Sequence, residues 1–347
     1  MINRIFPPEW APQDAVILAW PHDNTDWAPI LQEARDCFKE IIEAIARFED
    51  VIVLLNDEKE SFPINEFAKK ENIHPVVCPT NDTWARDFGP LFIKEGDQHI
   101  GLDFRFNGWG LKFPADQDNL ITSRLFASGI FSENTSRENK LNFVLEGGSL
   151  ESDGNGTLLT TSECLMSTNR NGASSRDEVE KELKRSFGAQ RVLWIDHGYL
   201  AGDDTDSHID TLARFCDSET IAYVKCKDID DDHFQALKKM EEQLQQLKTR
   251  EGNPYNLVPL PMADPVFDDD YQLPATYANF LITNGAVLVP CYNSPKDLEV
   301  KKILEPVFPG RQIIGINCRA LIKQHGSLHC VTMQIPGGVI NKDIING

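Results

Sequence analysis

Leu145-Glu-Gly-Gly-Ser-Leu-Glu-Ser-Asp-Gly-Asn-Gly-Thr-Leu-Leu159 reads as the end of a strand carrying one carboxylate, a glycine bend, and a β-hairpin. Ser-Asp-Gly-Asn-Gly between two apolar runs is hairpin-turn chemistry. The stretch looks superficially like a phosphate loop. It has neither the closing lysine nor the Gly-x-Gly-x-x-Gly register, and strand signals rather than a helix follow it. A polar residue delivered at a strand end, just ahead of a hairpin, is therefore the unit to seek elsewhere in the chain.

It recurs. Hairpin signals lie at 92–101, Phe-Ile-Lys-Glu-Gly-Asp-Gln-His-Ile-Gly, and at 281–288, Leu-Ile-Thr-Asn-Gly-Ala-Val-Leu. Candidate polar residues precede such segments at regular intervals: 59 residues from Asp87 to Glu146, 62 to His208, and 122, twice 61, to Cys330. Thr276–Pro290 fills the double gap. Five units of roughly 60–70 residues, each sending one loop toward a common axis, form a closed radial array without long exposed edges.

Strand-like segments are expected at 15–20, 51–56, 91–94, 100–106, 143–145, 157–161, 191–196, 220–225, 280–283, 286–290, 312–317 and 328–335. Between them Ile30–Phe48 places Leu31, Ala34, Phe38, Ile41, Ile42, Ile45 and Phe48 on one helical face. Glu178–Phe187, Asp232–Arg250 and the shorter Lys296–Glu305 read the same way. Strands and helices mixed throughout give an α/β protein, and no Gly-, Ser- or Pro-rich linker divides it. A single catalytic domain over 1–347 is expected.

The 347 residues carry 34 Lys and Arg against 54 Asp and Glu, a net charge of −20. That field repels phosphate backbones and attracts cations, so a small cationic partner is expected and nucleic acid is not. No apolar run is long enough for a membrane span, and Met1-Ile-Asn-Arg-Ile-Phe-Pro-Pro8 lacks the pattern of a signal peptide. A soluble cytoplasmic protein is expected, and a homo-oligomer is allowed. Eight cysteines contain no Cys-x-x-Cys pair, so neither a zinc ribbon nor a disulfide framework is indicated.

Three further segments carry chemistry. In Asp203-Asp-Thr-Asp-Ser-His-Ile-Asp210, His208 and Asp210 would share a face if extended, an imidazole for proton transfer beside a carboxylate for a cation. The rival readings are a solvated acidic loop and a metal site of Asp204, Asp206, His208 and Asp210. Against the second, the glycine and terminal glutamate of a calcium loop are missing. Thr83-Trp-Ala-Arg-Asp-Phe-Gly-Pro90 offers Trp84 as a face for a cation and Asp87 as its acceptor, or else a plain salt bridge. In His325-Gly-Ser-Leu-His-Cys-Val-Thr-Met-Gln334, Cys330 opens an apolar strand. His329 as its strand neighbour would point away, which leaves His208 as the better base.

Taken together the chain resembles the agmatine deiminase and bacterial peptidylarginine deiminase family of the guanidine-modifying superfamily. The resemblance runs through Pro8-Glu9-Trp10, Trp20-Pro21, Trp84-Ala-Arg-Asp87, Phe106-Asn-Gly-Trp109, Glu146-Gly-Gly148, Asp204–Asp210 and His329-Cys330. It implies a five-bladed α/β propeller (the pentein fold) with pseudo-fivefold symmetry. It also implies that Asp87 and Asp210 grip a guanidinium, that Cys330 attacks its carbon, that His208 moves protons, and that Glu146 orients His208. Trp84 and Trp109 would contact substrate or belong to the core. No metal or organic cofactor is implied.

The sequence departs from the family pattern at Gln324–Leu328, Thr205–Thr211 and the short Gly110–Ala115 stretch, all flanking the part that would meet the substrate's tail. Agmatine, hydrolysed to N-carbamoylputrescine and ammonia, suits the acidic chain best. A peptidylarginine enzyme needs a cation for a carboxylate, and Arg105 and Lys112 near the Phe106–Trp109 segment read as surface residues. A non-catalytic binding protein on the same propeller would be expected to lose the nucleophile or the clamps, and all are present.

Overall fold

The computed structural model describes residues 4–345, so the first three and last two residues of the expected 1–347 domain lie outside it. Five sheets share one pattern: an antiparallel pair, then a crossover to a parallel neighbour. In the first, Met333–Pro336 pairs antiparallel with Gln13–Ala19, which pairs parallel with Asp50–Leu55, and Ile73–Val77 completes the sheet. The chain's two ends thus share a sheet. The second joins Leu91–Glu95 to Gln98–Arg105 antiparallel and the latter to Thr135–Val144 in parallel, with Arg4–Ile5 on its edge.

Glu151–Ser152, Thr157–Thr161 and Arg191–Ile195 form the third sheet on the same plan. Ala213–Phe215, Thr220–Lys225 and Asn256–Pro261 form the fourth. Leu281–Ile282, Ala286–Cys291 and Gln312–Asn317 form the fifth. A separate hairpin, Val266–Asp268 with Tyr271–Leu273, stands outside these five.

The crossovers carry the helices the periodicity predicts. Leu31–Ile45 buries Ala34, Cys37, Phe38, Ile41, Ile42, Ala44 and Ile45, a stripe at helical spacing. Arg176–Phe187 starts on a reciprocal Ser175–Glu178 capping box and stops at Gly188, whose φ of 69° is left-handed. Phe234–Gln246 and Lys296–Leu304 fill the fourth and fifth crossovers. Ala15–Ala19 and Val51–Leu54 are almost wholly buried, which is why they read as unbroken apolar runs.

The structure corrects the sequence reading in several places. The expected strand 143–145 is only the end of Thr135–Val144, whose first half is polar and largely exposed. Ile73–Val77 and Asn256–Pro261 are strands that the sequence reading lacks. The segment 328–335 is a strand only from Met333. Over Leu328–Thr332 the backbone turns instead, with Thr332 N–H donating to the His329 carbonyl at 3.0 Å.

Candidate active site

Each connection between consecutive sheets delivers polar side chains to one place. Asp87 sits in the short helix Ala85–Phe88, and Glu146 precedes the turn Gly147–Ser149. His208 caps the turn Ile209–Thr211, which holds Asp210, so this pair lies on a tight helical turn rather than an extended strand. Cys330 lies in the turn before the last strand. The fourth sheet's exit contributes Asn279, which the sequence reading passed over.

The loop before His208 is built by its own side chains. Asp203 accepts hydrogen bonds from Thr205 N at 3.2 Å, Thr205 Oγ1 at 2.6 Å and Ser207 N at 2.7 Å. Thr205 Oγ1 in turn accepts the His208 N–H at 3.1 Å. Short polar side chains folding back on the backbone explain how Asp206 and Ser207 are held at φ of 63° and 61°.

The two expected clamps differ in surroundings. Asp87 accepts from Gly148 N at 3.0 Å and from Trp109 Nε1 at 2.9 Å. Burial, with Asp210 and Glu146 nearby, outweighs His208 and Trp109 and pushes Asp87 up to about 6. Asp210 is fully buried, yet its Oδ2 faces His329 Nδ1 at 2.7 Å, and it is held below the usual carboxylate range. Burial opposes that shift, and His329, His208 and Arg214 overcome it. Asp210 Oδ1 is buried without a hydrogen-bond partner.

His208 Nδ1 lies 3.6 Å from Asp87 and its Nε2 lies 3.7 Å from Glu146, ion contacts too long for hydrogen bonds. Burial disfavours its charge, but Asp87, Cys164 and Glu146 together raise it well above the ordinary histidine range. Glu146 is gripped by Arg170 Nε, at 2.8 Å from both carboxylate oxygens. Burial raises Glu146, whereas His208 and Arg170 bring it below its ordinary value. Arg170 also binds the Thr205 carbonyl at 2.9 Å and pairs with Asp206, locking the histidine loop to the glutamate.

Cys330 Sγ lies 3.4 Å from Asn279 Oδ1, which also accepts the N–H of His329 at 2.8 Å and of Cys330 at 3.3 Å. Burial, then Asp210 and Asp87, raises the free thiol well above the ordinary cysteine value. A cavity open to solvent is lined by Cys330, Asp87, Trp84, Trp109, Phe113, Asp26, Asp82 and Asp204 among others. His208, Asp210 and Glu146 are not on its wall and have less than 2% of their side chains exposed. Trp84 and Trp109 both line the cavity, and Trp109 also holds Asp87.

The three-carboxylate-and-histidine grouping weighed as a metal site, Asp204, Asp206, His208 and Asp210, is not assembled. Asp206 pairs with Lys112 and Arg170, and Asp210 with His329. Ligand-type side chains do converge at Glu146, Cys164 and His208 and at Glu9, Glu151 and His329. In each group a guanidinium already occupies the carboxylates, from Arg170 in one and Arg214 in the other. Lys112, expected as a surface residue, is the ion-pair partner of Asp206 at 2.7 Å.

The family model of the Porphyromonas-type peptidyl-arginine deiminases matches residues 5–336. The chain belongs to this family. It is 30% identical to the agmatine deiminase of Ectopseudomonas mendocina (strain ymp), with 95% of each chain covered. Its fold superposes on a cysteine-to-serine variant of C. jejuni agmatine deiminase with substrate bound, at TM-score 0.89, 37% identity and 96% of each chain. It also superposes on a Porphyromonas gingivalis protein provisionally named an arginine deiminase, at TM-score 0.93 and 52% identity, over 98% of this chain and 100% of that one. The mixed α/β architecture is therefore that of the agmatine deiminase structures, and the chain is a hydrolase of the amidine C–N bond type.

Proposed function

We propose that this member of the family hydrolyses agmatine to N-carbamoylputrescine and ammonia, with Cys330 as the nucleophile. The observation that carries the substrate is the cavity wall. Asp87 and Cys330 lie in it, Asp26, Asp82 and Asp204 line it too, and no Lys or Arg does. Such a wall favours a small dication, whose guanidinium would pair with Asp87 and Asp210 while the ammonium tail meets the outer carboxylates. An arginine peptide would bring a main-chain carbonyl or carboxylate to the same acidic wall. Lys112, next in sequence to the wall residue Phe113, is engaged by Asp206.

The chemistry follows from the charges. In the free site the thiol is neutral and His208 is a cation. A bound guanidinium cancels the two carboxylates that hold the thiol up, so substrate itself favours the thiolate, and the thiol proton leaves to solvent. Sulfur attacks the guanidinium carbon, forming the C–S bond. His208 gives a proton to the departing nitrogen, the C–N bond breaks, and ammonia leaves an S-alkylthiouronium on Cys330. His208, now neutral, takes a proton from water, whose oxygen attacks the same carbon. The C–S bond then breaks, the proton of the added hydroxyl passes to sulfur as the urea carbonyl forms, and the thiol is restored. Glu146, fixed by Arg170, keeps His208 oriented and its positive form stabilised.

The five repeated sheets, each followed by a loop that reaches the site, support a five-bladed propeller with pseudo-fivefold symmetry acting as one catalytic unit. All eight cysteines are free, which suits a reducing cytoplasm, and no helix among the described residues is long and apolar enough to cross a membrane. The reaction as written needs no cofactor.

The test is ammonia release from agmatine, from free arginine and from an arginine peptide, with native protein and Cys330→Ala. Cysteine-dependent turnover of agmatine is the expected result. Turnover of the peptide alone overturns the substrate, and binding of agmatine without ammonia from any of the three favours a non-catalytic binding protein.

A further inference from the structure

His329 is the neighbour of the nucleophile in sequence, yet its ring faces the other way, into a buried ionic cluster. Nδ1 lies 2.7 Å from Asp210 Oδ2 and Nε2 lies 2.6 Å from Glu9 Oε2. Arg214 Nη2 donates to the same Glu9 oxygen at 2.8 Å, and Arg214 Nε donates to Glu151 Oε1 at 2.5 Å. Glu9 Oε1 accepts the Ile282 N–H at 2.7 Å, and Arg214 Nη1 donates to the Phe280 carbonyl at 2.5 Å. The cluster is thus anchored to the backbone of the fifth sheet's first strand and the turn before it.

Both ring nitrogens face carboxylate oxygens at hydrogen-bond distance. A carboxylate can only accept, so Nδ1, which faces Asp210, must present an N–H; Nε2 faces both the Glu9 carboxylate and, at 3.0 Å, the donor Arg214 Nη2. Glu9 is held well below the usual carboxylate range, because Arg214, His329 and Arg86 overcome its burial, so it too is an acceptor. Asp210 is left with one oxygen tied to His329 and the other, Oδ1, buried and free. A buried carboxylate with one oxygen fixed and the other unpaired is preorganised for one incoming N–H donor.

We propose that His329 is a positioning residue: braced by Glu9 and Arg214, it donates through Nδ1 and fixes the Asp210 carboxylate so that Oδ1 receives the substrate guanidinium. This rests on the reading of Asp210 as a guanidinium clamp. His329 touches neither the reacting carbon nor the leaving nitrogen in this account.

Two amide variants separate positioning from bulk stability. An Asn amide nitrogen occupies the place of Nδ1 and keeps the bond to Asp210. A Gln amide nitrogen occupies the place of Nε2 and keeps the bond to Glu9. His329→Gln should therefore raise KM for agmatine and lower kcat/KM by roughly 10- to 100-fold, as loss of a partner that orients a ligand carboxylate does elsewhere. His329→Asn should stay much closer to wild type, whichever variant melts lower. Equal impairment of the two, or impairment that follows their melting temperatures, overturns the proposal.

A wild-type measurement stands apart from the substrate. Proton and nitrogen NMR of the histidine-labelled protein, with the His329 signals assigned by their loss in His329→Asn, should show an exchange-protected, downfield Nδ1–H on the His329 ring. Absence of that proton overturns the proposal. Failure of the wild type to turn over agmatine would remove the substrate reading, while this spectrum would still decide the state of His329.

Discussion

The backbone N–H of Gly148 donates to Asp87 Oδ1 at 3.0 Å, and a Cβ on Gly148 would sit 2.8 Å from that same oxygen. It would also sit 2.7 Å from His208 Nδ1 and 3.1 Å from Asp210 Oδ2. The hydrogen of Gly148 thus occupies the space between three site residues that come from two other inter-sheet loops.

Gly148→Ala should fold and lose activity. The methyl group wedges between the clamps and the histidine, and displacements on that scale cost roughly 100-fold or more in turnover. Gly147→Ala should behave differently, because its Cβ would lie 2.1 Å from the Arg86 carbonyl oxygen and backbone would have to move. A loss of about 1–3 kcal/mol in stability is expected there. Thermal unfolding and ammonia release, measured on both variants, separate the two effects.

Trp109→Phe keeps a ring in the cavity wall and removes the Nε1–H that donates to Asp87 Oδ2 at 2.9 Å. A hydrogen bond to a charged acceptor contributes about 1.5–3 kcal/mol, so kcat/KM should fall roughly 10- to 100-fold. The acid limb of the pH–activity profile, set by Asp87 near pH 6, should move upward because a group stabilising the carboxylate is gone. A profile and kcat/KM equal to wild type would show that Trp109 serves only as packing.

Alkylation of Cys330 reports its thiolate directly. In the free protein burial, Asp210 and Asp87 raise this thiol well above 9.0. Iodoacetamide labelling at Cys330, followed by peptide mass, should therefore still be climbing above pH 9. A plateau below pH 8 without substrate would contradict the charge argument, including the idea that the substrate's own cation promotes ionisation.

Asp118 is a buried carboxyl outside the chemistry, and burial, with Asp82 and Asp116 nearby, raises it to about 8 against the bond from Asn81. A carboxyl raised on folding contributes stability that is complete below the unfolded value near 4 and lost as pH rises through about 8. Its Oδ1 accepts the N–H groups of Asn81 at 2.7 Å and Asp82 at 3.5 Å, work an amide oxygen can do. Asp118→Asn should raise stability at pH 8.5 by roughly 1–3 kcal/mol and change little at pH 4. Urea unfolding at the two pH values measures this.

Where the sequence reading succeeded and failed has a physical pattern. Thr157–Thr161, Thr220–Lys225 and Gln312–Asn317 match to the residue, because β-branched and apolar residues run unbroken between turn signals. Ile73–Val77 and Asn256–Pro261 contain Pro75, Pro259 and Pro261, which argue against a strand; both lie at sheet edges, where a missing N–H costs least. Leu328–Thr332 is apolar enough for a strand, but Asn279, about 50 residues earlier, takes up the N–H groups of His329 and Cys330.

The four polar residues that the spacing singled out do converge, and Asp210 joins them. Asp87 meets His208, His208 meets Glu146, and Asp210 and Cys330 meet through Asn279. Their supports stayed hidden. Arg170 reaches Glu146 across 24 residues, and Glu9 reaches His329 across 320. No local periodicity reports a contact of that kind. His329 was read correctly as facing away from Cys330, but for the wrong reason: it sits in a turn, and two carboxylates, not strand alternation, fix its direction.

The central claim is a covalent intermediate on Cys330, and rapid acid quenching during agmatine turnover tests it most directly. Intact and peptide mass should show an adduct of agmatine less ammonia on the Cys330 peptide, absent from Cys330→Ala, which should also release no ammonia. Steady turnover with no adduct, retained in Cys330→Ala, would contradict the account.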